Sequence, residues 1–563
     1  MSFFLVRKNE AQKLLNDADF QSKWRSLFER CPWATVFQDV EYLKIWNEHF
    51  RQTHEFILIY ETDETGNLTG LFPLSLNLET GKLSAAGEHH AEYQTWLATE
   101  ENGDAFIEKA LEILKNEFPE KRLQLIFLAP RTPLEWLKGR WSQQSELREM
   151  PRPMVNLNGG NTSAESLRKK GNKTRIRQMK RLGELSFVEL KSAEEFEKIF
   201  DEIESFSRLR LSALHNVSLP ECEERKAFHV DLMRKTDVVY PTLLRVGGQI
   251  ASAQVCFRNR DEMLLSMTSM SPFFAKQSPS KIHLLMLGEK LTETKFENLD
   301  LSPGLDYKER FATHVEKTYV LTIFFDKADF LSYKSKRKVA KTTRETLENL
   351  QITKTRAFRF ADKLRHKLKR VSYAKLPQTV LKNVRRKIYE FKECRFYYFE
   401  VEKIAELPAE NFLRRNSIED LLKYEPVEGW QFTKSEFHRE VLKRLEEGAI
   451  PYTFAENGKL LHYGWLLEHQ EVSQVYEIGA EFRFPPDTAV LFDFYTHPEA
   501  RGRGLYKKSL CQLLHAAAEV SGVRQIFIGV MADNKSSRNV IEKLGFRYHS
   551  SLFKETIFGN IRK

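Results

Sequence analysis

The alternation of apolar and polar positions divides the chain into short strand-like runs and longer stretches of helical spacing. FILIYE at 56–61 and the run at 68–78 read as two strands of a hairpin, with a turn at 64–67. Positions 24–28 and 105–118 have helical spacing, and 123–129 reads as a buried strand stopped by Pro130. A helix is predicted from Ser163, a strand at 186–190, and helices at 193–211 and 222–234. A hairpin follows at 242–258, turning at Gly247-Gly248, and then a strand at 263–270. A helix at 280–294 and strands at 297–304 and 318–325 complete the middle part. The last part opens near 395–399 and runs through a hairpin at 452–468, which turns at Asn457-Gly458. Strands at 473–480 and 489–497, a helix at 505–521, a strand at 523–530 and a helix at 536–544 follow. Strands interleaved with helices predict α/β or α+β sheets. The hairpin–strand–helix–strand order appears in the middle and last parts alike, which points to duplicated folds. The expected organisation is 1–150, 151–334, a helical connector at 335–390, and 391–563.

Composition narrows the class. With 563 residues and 41% apolar positions, the chain has material for several full cores, which excludes a mainly disordered protein. Five scattered cysteines without a CxxC pair argue against a disulfide scaffold and a zinc ribbon, so no metal is expected and a reducing compartment fits. The longest clean apolar run, 319–325, is far short of a membrane span. The opening MSFFLVRKNEAQ lacks the long apolar stretch of a signal peptide. The expected location is the cytoplasm, with a peripheral position on the inner face of the membrane compatible with the charge pattern.

That charge is concentrated. The net value is +10, yet residues 331–392 alone carry 20 Lys/Arg against 4 Asp/Glu, a local +16. A second run, RKKGNKTRIRQMKR at 168–181, has eight basic residues in 14. Such runs suit anionic partners, and the segment 331–392 is where a membrane surface or RNA would dock.

The most informative motif is AVLFDFYTHPEARGRGLY at 489–506. A strand ends at His497-Pro498, a turn of Arg501-Gly502-Arg503-Gly504 follows, and a helix begins at Leu505. Glycines let backbone amides face outward without a Cβ in the way. A helix start adds unpaired N–H groups and the positive dipole end, so such a turn binds a diphosphate. After a further strand, NKSSRNVIEKLGF at 534–546 reads as a helix capped by Asn534 and closed by Leu-Gly-Phe.

Turn, helix, strand, capped helix and LGF closely resemble the GNAT acyltransferase superfamily over roughly 390–563. There the pattern R/Q-x-x-G-x-G/A binds the diphosphate of acyl-CoA. Arg501, Gly502, Arg503 and Gly504 fit it, while Tyr506 stands where Gly or Ala is usual. The resemblance implies acyl-CoA as co-substrate, held by His497, Arg501 to Tyr506 (with Leu505 between) and Asn534. It further implies a base that frees an amine and an acid that protonates the thiolate. Asp493, eight residues before Arg501, is the first candidate base and Glu477 the second. The family's usual acid position is Ile541, which leaves Tyr548 as a substitute.

A second resemblance covers 1–345. TVFQDVEYLKIWNEHF (35–50), GLFPLSL (70–76), AAGEHHAEYQTWLA (85–98) and LRKKGNKTRIRQMKRL (167–182) are its first pieces. The Gly247-Gly248 hairpin, FFAKQSPSKIHLL (273–285) and LDLSPGLDYKERF (299–311) complete the set. In this order they look like CelD-like acetyltransferases of exopolysaccharide and cellulose biosynthesis, built from paired GNAT folds and related to FemAB-type transferases. The resemblance implies a substrate role for Tyr307 and Lys308, and places Glu92 and Tyr93 near a cleft that Tyr93 lines. The basic helix at 168–181 would steer an anionic donor or nucleotide-sugar. His89-His90 makes a poor metal pair, because neighbours on a strand point to opposite faces.

The expected fold is therefore α/β (α+β): tandem GNAT-like folds with mixed central sheets flanked by helices and a basic helical connector. The expected function is transfer of an acyl group, acetyl above all, from acyl-CoA to an amine of a small molecule or of a nucleotide-sugar or saccharide precursor. Two alternatives stay open: a FemAB-like transferase using aminoacyl-tRNA, and a non-enzymatic acyl-CoA sensor or membrane-docked scaffold.

Overall fold

A computed structural model describes residues 2–158, 162–217, 222–304, 306–349, 389–428, 431–557 and 560–562. The chain divides into two compact units, Met1–Glu204 with Pro220–Gln351, and Ser205–Leu219 with Ile352–Lys563.

Unit 1 is organised on one mixed sheet. From one edge inwards its strands run Leu185–Glu189, Val239–Val246, Gln249–Asn259, Glu262–Met270, Asn298–Asp300, Ser145–Asn156 and His314–Phe324. The sheet then continues through Arg122–Leu125 and Leu83–Ala85 to the hairpin His54–Thr62 and Leu68–Asn77, with Ser2–Arg7 at the far edge. The expected boundary at 150 falls inside the strand Ser145–Asn156, which pairs on both sides. The seam between the first two predicted segments therefore runs through a continuous hydrogen-bonded ladder.

Unit 2 repeats the order of the second half of unit 1. Its sheet runs Arg414–Arg415, Ile450–Glu456, Lys459–Leu467, Thr488–Thr496, Gln525–Met531, Tyr389–Glu400, Arg547–Ile557 and Asn560–Arg562. In each case the strand that comes first in sequence, Ser145–Asn156 or Tyr389–Glu400, inserts between the strand that follows the crossover helix and the next strand in sequence. In each case, too, one pair is parallel and is joined by a helix. Parallel neighbours need such a crossover. The helix Pro279–Leu291 serves in unit 1 and Leu505–Ala518 in unit 2.

The local signals explain these elements. The hairpins turn where two residues with positive φ, Gly247-Gly248 and Asn457-Gly458, match the strand twist. The helix Lys434–Glu447 opens on a capping box between Thr433 and Glu436, and Gly448 ends it in the left-handed conformation. In unit 2, Leu510, Leu513, Leu514 and Ala517 of the crossover helix bury against Ala489, Leu491, Ile526 and Ile528 of the sheet. Each such leucine contributes roughly 2 kcal/mol of transfer free energy.

Three expectations change. The strand predicted at 473–480 is a small hairpin, Val472–Val475 and Ala480–Arg483, so Glu477 sits on its exposed turn. The helix predicted from Ser163 breaks at Lys169, whose ψ of 140 is extended, and the basic run lies mostly on Lys170–Leu182. The strand predicted at 123–129 stops at Leu125. The connector predicted at 335–390 begins within the helix Lys327–Asn349, and its part at 350–388 lies outside the described residues.

Candidate functional site

In unit 2 the parallel strands Thr488–Thr496 and Gln525–Met531 pair only from Thr488↔Gln525 to Leu491↔Ile528. Beyond Leu491 they part, and residues 492–496 keep hydrogen bonds only toward the strand Lys459–Leu467 on the other side. The edge that faces the fork thus keeps backbone donors and acceptors for a ligand. At this open end the chain passes His497 and the short helical turn Pro498–Ala500, then enters Arg501–Gly504 and the helix from Leu505.

The loop has the geometry of an anion cradle. Gly502 and Gly504 hold φ of 79 and 74, and a Cβ at either would meet nothing within 4 Å. All four loop residues are exposed. The amides of the first helical turn have no intrahelical partner. The first bond that closes the helix is Lys508 N–H to Gly504 C=O at 3.2 Å. Two surface acids moderate the charge: Arg501 pairs with Glu428 at 2.7 Å and Arg503 with Glu456 at 3.2 Å. A diphosphate competes with these exposed carboxylates as the stronger, multidentate acceptor. The residues therefore fit acyl-CoA as a co-substrate.

Each predicted side chain has a definite place. His497 is 4% exposed and its Nδ1 accepts the Glu499 N–H at 3.2 Å, so it shapes the entry to the loop. Asn534 caps the helix Lys535–Lys543 by accepting the Ser537 N–H at 3.1 Å. Tyr506 does not lie over the loop. Its ring packs edge-on against Phe494 at 5.2 Å and its hydroxyl reaches the Ser537 hydroxyl at 2.7 Å. Burial pushes that phenol up to about 12.

Asp493 sits on a bulge. Trp465 faces Phe492 and Tyr463 faces Tyr495, so the 488–496 strand carries one extra residue there, and Asp493 takes a φ of 47. The bulge aims its carboxylate at Arg444, with which it forms an ion pair. Arg444 lies over the rings of Trp465 and Phe492 at 5.3 and 5.4 Å. Tyr548 is elsewhere. It is 55% exposed on the Arg547–Ile557 strand, which the Tyr389–Glu400 strand separates from Gln525–Met531, and its hydroxyl meets Ser551 at 3.0 Å. The structure thus brings Asp493 and the loop to the same strand end. Tyr548 lies on a strand that does not border the fork. Glu477, on its exposed turn, is near enough to Cys394 for its charge, after burial, to raise that thiol, Cys394 being the ladder partner of Met531 on the other prong.

Unit 1 has a matching fork. Glu262–Met270 and Asn298–Asp300 pair in parallel from Glu262↔Asn298 to Leu264↔Asp300 and then part. Behind the fork lies a buried charged network. Asp300, fully buried, accepts from the Tyr93 hydroxyl at 2.6 Å, from Arg152 Nε at 2.8 Å and from the Ser302 N–H at 2.7 Å. Arg152 also binds Glu262 and, at 2.6 Å, Glu316. Tyr93 is fully buried with its hydroxyl committed, so it braces the cleft from behind instead of lining it.

In the fork itself sits Glu92, within hydrogen-bonding reach of the Ser266 and Ser302 hydroxyls and beside Lys308. Burial, and then the Asp300 charge, push its carboxyl up to about 7 against the opposing pull of Lys308. Lys308 Nζ donates to the Ser302 carbonyl at 3.3 Å, and burial draws its ammonium below the usual lysine range. Tyr307 belongs to the short helical turn Asp306–Phe311, and its side chain lies outside the described residues. Sequence reasoning placed Glu92 near a cleft and gave it no task. Its partners lie on strands far away in the chain, so no local motif marks it. Among the described residues no group of three or more His, Cys, Asp or Glu is set to hold a metal. No described helix is long and apolar enough to cross a membrane.

Comparison with known proteins follows this division. Residues 166–309 match the family model described as acetyltransferase (GNAT) domain, and residues 415–546 match the one described as acetyltransferase (GNAT) family. Both stretches are GNAT acetyltransferase domains. The second GNAT domain holds the loop and Asp493, and the first holds the fork and Lys308. An uncharacterized N-acetyltransferase of Bacillus subtilis (strain 168), YycN, is 33% identical over 88 residues, 15% of this chain. The chain spans 56% of that relative's length. Among solved structures, FemX is similar at a TM-score of 0.37 and 9% identity, covering 53% of this chain and 95% of that one. A tandem GNAT protein from the clavulanic acid biosynthesis pathway aligns at a TM-score of 0.35 and 11% identity, covering 58% and 99%.

Proposed function

We propose that the GNAT domain of unit 2 is an N-acyltransferase that moves an acyl group, acetyl above all, from acyl-CoA to an amine of a small molecule or saccharide precursor. One observation carries this reading: the strand pair 488–496 and 525–531 opens into a fork, and the Arg501–Gly504 loop stands at its mouth. The loop amides and the two arginines hold the diphosphate. The free edge of 492–496 offers amides to the thioester carbonyl, where negative charge develops during attack. Asp493, oriented by Arg444, attracts the substrate ammonium to the same edge. Asp493 takes one proton from that ammonium, the freed amine attacks the carbonyl carbon, and as the C–S bond breaks the second proton lost from nitrogen passes to the departing thiolate.

The test is binding of acetyl-CoA to the full chain by isothermal titration, with unit 2 altered. Arg501→Glu and Gly504→Asp each put a carboxylate where the diphosphate binds. Each is expected to weaken binding at unit 2 at least ~10-fold; Arg501→Glu is expected to do so without lowering the unfolding temperature, while Gly504→Asp, at a φ of 74, lowers it slightly. Unchanged binding in both refutes the loop assignment.

A further inference from the structure

The helix Lys170–Leu182 of unit 1 holds a set of cations that the reaction of unit 2 does not use. We propose that the outer face of this helix docks unit 1 on an anionic lipid bilayer, through contacts with the head groups. The proposal is independent of the reading of unit 2.

One side of the helix is committed to an apolar core. Met179 is fully buried and Ile176 partly buried, against Leu244, Val246, Phe274 and Ile282. Lys170, Lys173, Arg177, Lys180 and Arg181 are exposed. At 3.6 residues per turn these five fall within an arc of about 100° on the side away from Met179. They recur at the three- and four-residue steps that keep side chains on one face. The stripe they form is about 17 Å long.

The charge of the stripe is uncompensated. Among the described residues, none of the five side chains forms an ion pair or a hydrogen bond. The first turn of the helix carries no acid. Other cations at the surface of the same unit are paired: Lys235 with Glu48 at 2.9 Å and Lys317 with Glu149 at 3.0 Å. The positive excess continues beside the stripe. Lys281 lies in the first turn of Pro279–Leu291, and burial, then Arg175, Arg310 and Lys169, hold its ammonium below the usual lysine range. Like charges fixed on a rigid helix repel one another until an anionic partner neutralises them.

The shape of the charge selects the partner. A helix lying in a nucleic-acid groove meets phosphates on both flanks and reaches base edges along its centre. Here one flank, formed by Gly171, Thr174 and Gln178, is uncharged. The run 168–182 also has no aromatic ring on which a base could stack. A single straight stripe touches a flat surface along its whole length, and a bilayer rich in anionic lipid is such a surface. Leu182, exposed at the end of the helix, lies off the stripe. The contact is therefore one of charge with head groups and not of insertion into the acyl region. Such binding is reversible and weakens as salt rises.

The test is sedimentation of the full chain with vesicles of phosphatidylcholine alone, or of phosphatidylcholine with about one third phosphatidylglycerol. The wild-type chain is expected to sediment with the anionic vesicles only, and to be released as salt approaches about 1 M. Each Lys or Arg near such a surface adds roughly fivefold to partitioning, so Lys173→Glu with Arg177→Glu is expected to lower it at least ~25-fold. Both side chains are exposed and unpaired, so the unfolding temperature is expected to stay within about 2 °C of wild type. Lys173→Gln with Arg177→Gln adds no acid and is expected to lower partitioning at least ~5-fold. Lys8→Glu with Lys13→Glu makes the same charge change as the first variant on the helix Lys8–Asn16, and is expected to keep partitioning within about threefold. The proposal is overturned by wild-type binding with no preference for anionic vesicles, or by no binding to either kind. It is overturned by unchanged partitioning in both variants of Lys173 and Arg177, which moves the contact to another basic run. An equal loss in the Lys8 and Lys13 variant overturns it as well. So does binding of bulk tRNA that needs Lys173 and Arg177 in a chain that leaves the vesicles unbound.

Discussion

The hydroxyls of Tyr506 and Ser537 lie 2.7 Å apart and tie together the first turns of the helices Leu505–Ala518 and Lys535–Lys543. The residue that departs from the family pattern therefore packs inward, below the loop, and leaves the amides of 502–504 open. Tyr506→Phe keeps the ring on Phe494 and loses the bond. Urea unfolding of unit 2 is expected to show a loss of about 1 kcal/mol. Acetyl-CoA affinity is expected to stay within about threefold.

Gly464 lies under the ring of Phe494, which in turn supports Tyr506. A Cβ at Gly464 would come within 2.4 Å of that ring. Gly464→Ala is expected to displace Phe494 and to cost about 1–3 kcal/mol, read from the urea midpoint. The same displacement is expected to disturb the Asp493 bulge, which faces Gly464, and so to slow acyl transfer.

Arg152 is the centre of the buried network in unit 1. Arg152→Met leaves Asp300 without its guanidinium and Glu262 without its partner. The expected loss is about 3–5 kcal/mol of stability. Adding Asp300→Asn is expected to recover part of it, since the charge left behind is the main penalty. Equal stability of the single and double variants contradicts this reading.

Buried histidines make unit 1 acid-sensitive. Burial holds His90 and His283 at about 3 and His229 at about 4, so all three stay neutral in the folded state. Unfolded, they titrate near 6.5. Below that value the unfolded chain binds more protons, so stability is complete above pH 6.5 and is lost as pH falls toward 4. Denaturation midpoints at pH 7.5 and 5 are expected to show the drop. His90→Phe, which fits the ring stack with Phe50 at 4.5 Å, is expected to reduce it.

Tyr548 supplies a control. It is exposed and lies beyond the Tyr389–Glu400 strand. Tyr548→Phe is expected to leave unit 2 turnover within about twofold. A hundredfold loss places the acid away from the fork.

Legibility followed distance along the chain. The Arg501–Gly504 turn, the Asn534 cap and the hairpins at Gly247-Gly248 and Asn457-Gly458 were readable because glycine, asparagine and helix-start geometry act within a few residues. The repeated strand order was half readable: the hairpin, strand, helix, strand sequence showed it. The insertion of Ser145–Asn156 and Tyr389–Glu400 between later strands did not, because it depends on pairing across the whole unit. That insertion is what carries Tyr548 away from the fork.

The sequence alone determined the local pieces: alternating strands, crossover helices, and a glycine–arginine turn with its amides turned outward. Backbone preference and hydrophobic period act over one or two turns, so they leave a signature in neighbouring residues. Only the tertiary structure decided what Asp493, Tyr93 and Glu92 do. Arg444 claims the first, Asp300 buries the second, and two diverging strands surround the third. Burial and partner charge set the chemistry of a carboxyl or a phenol, and both are properties of residues that meet only after folding.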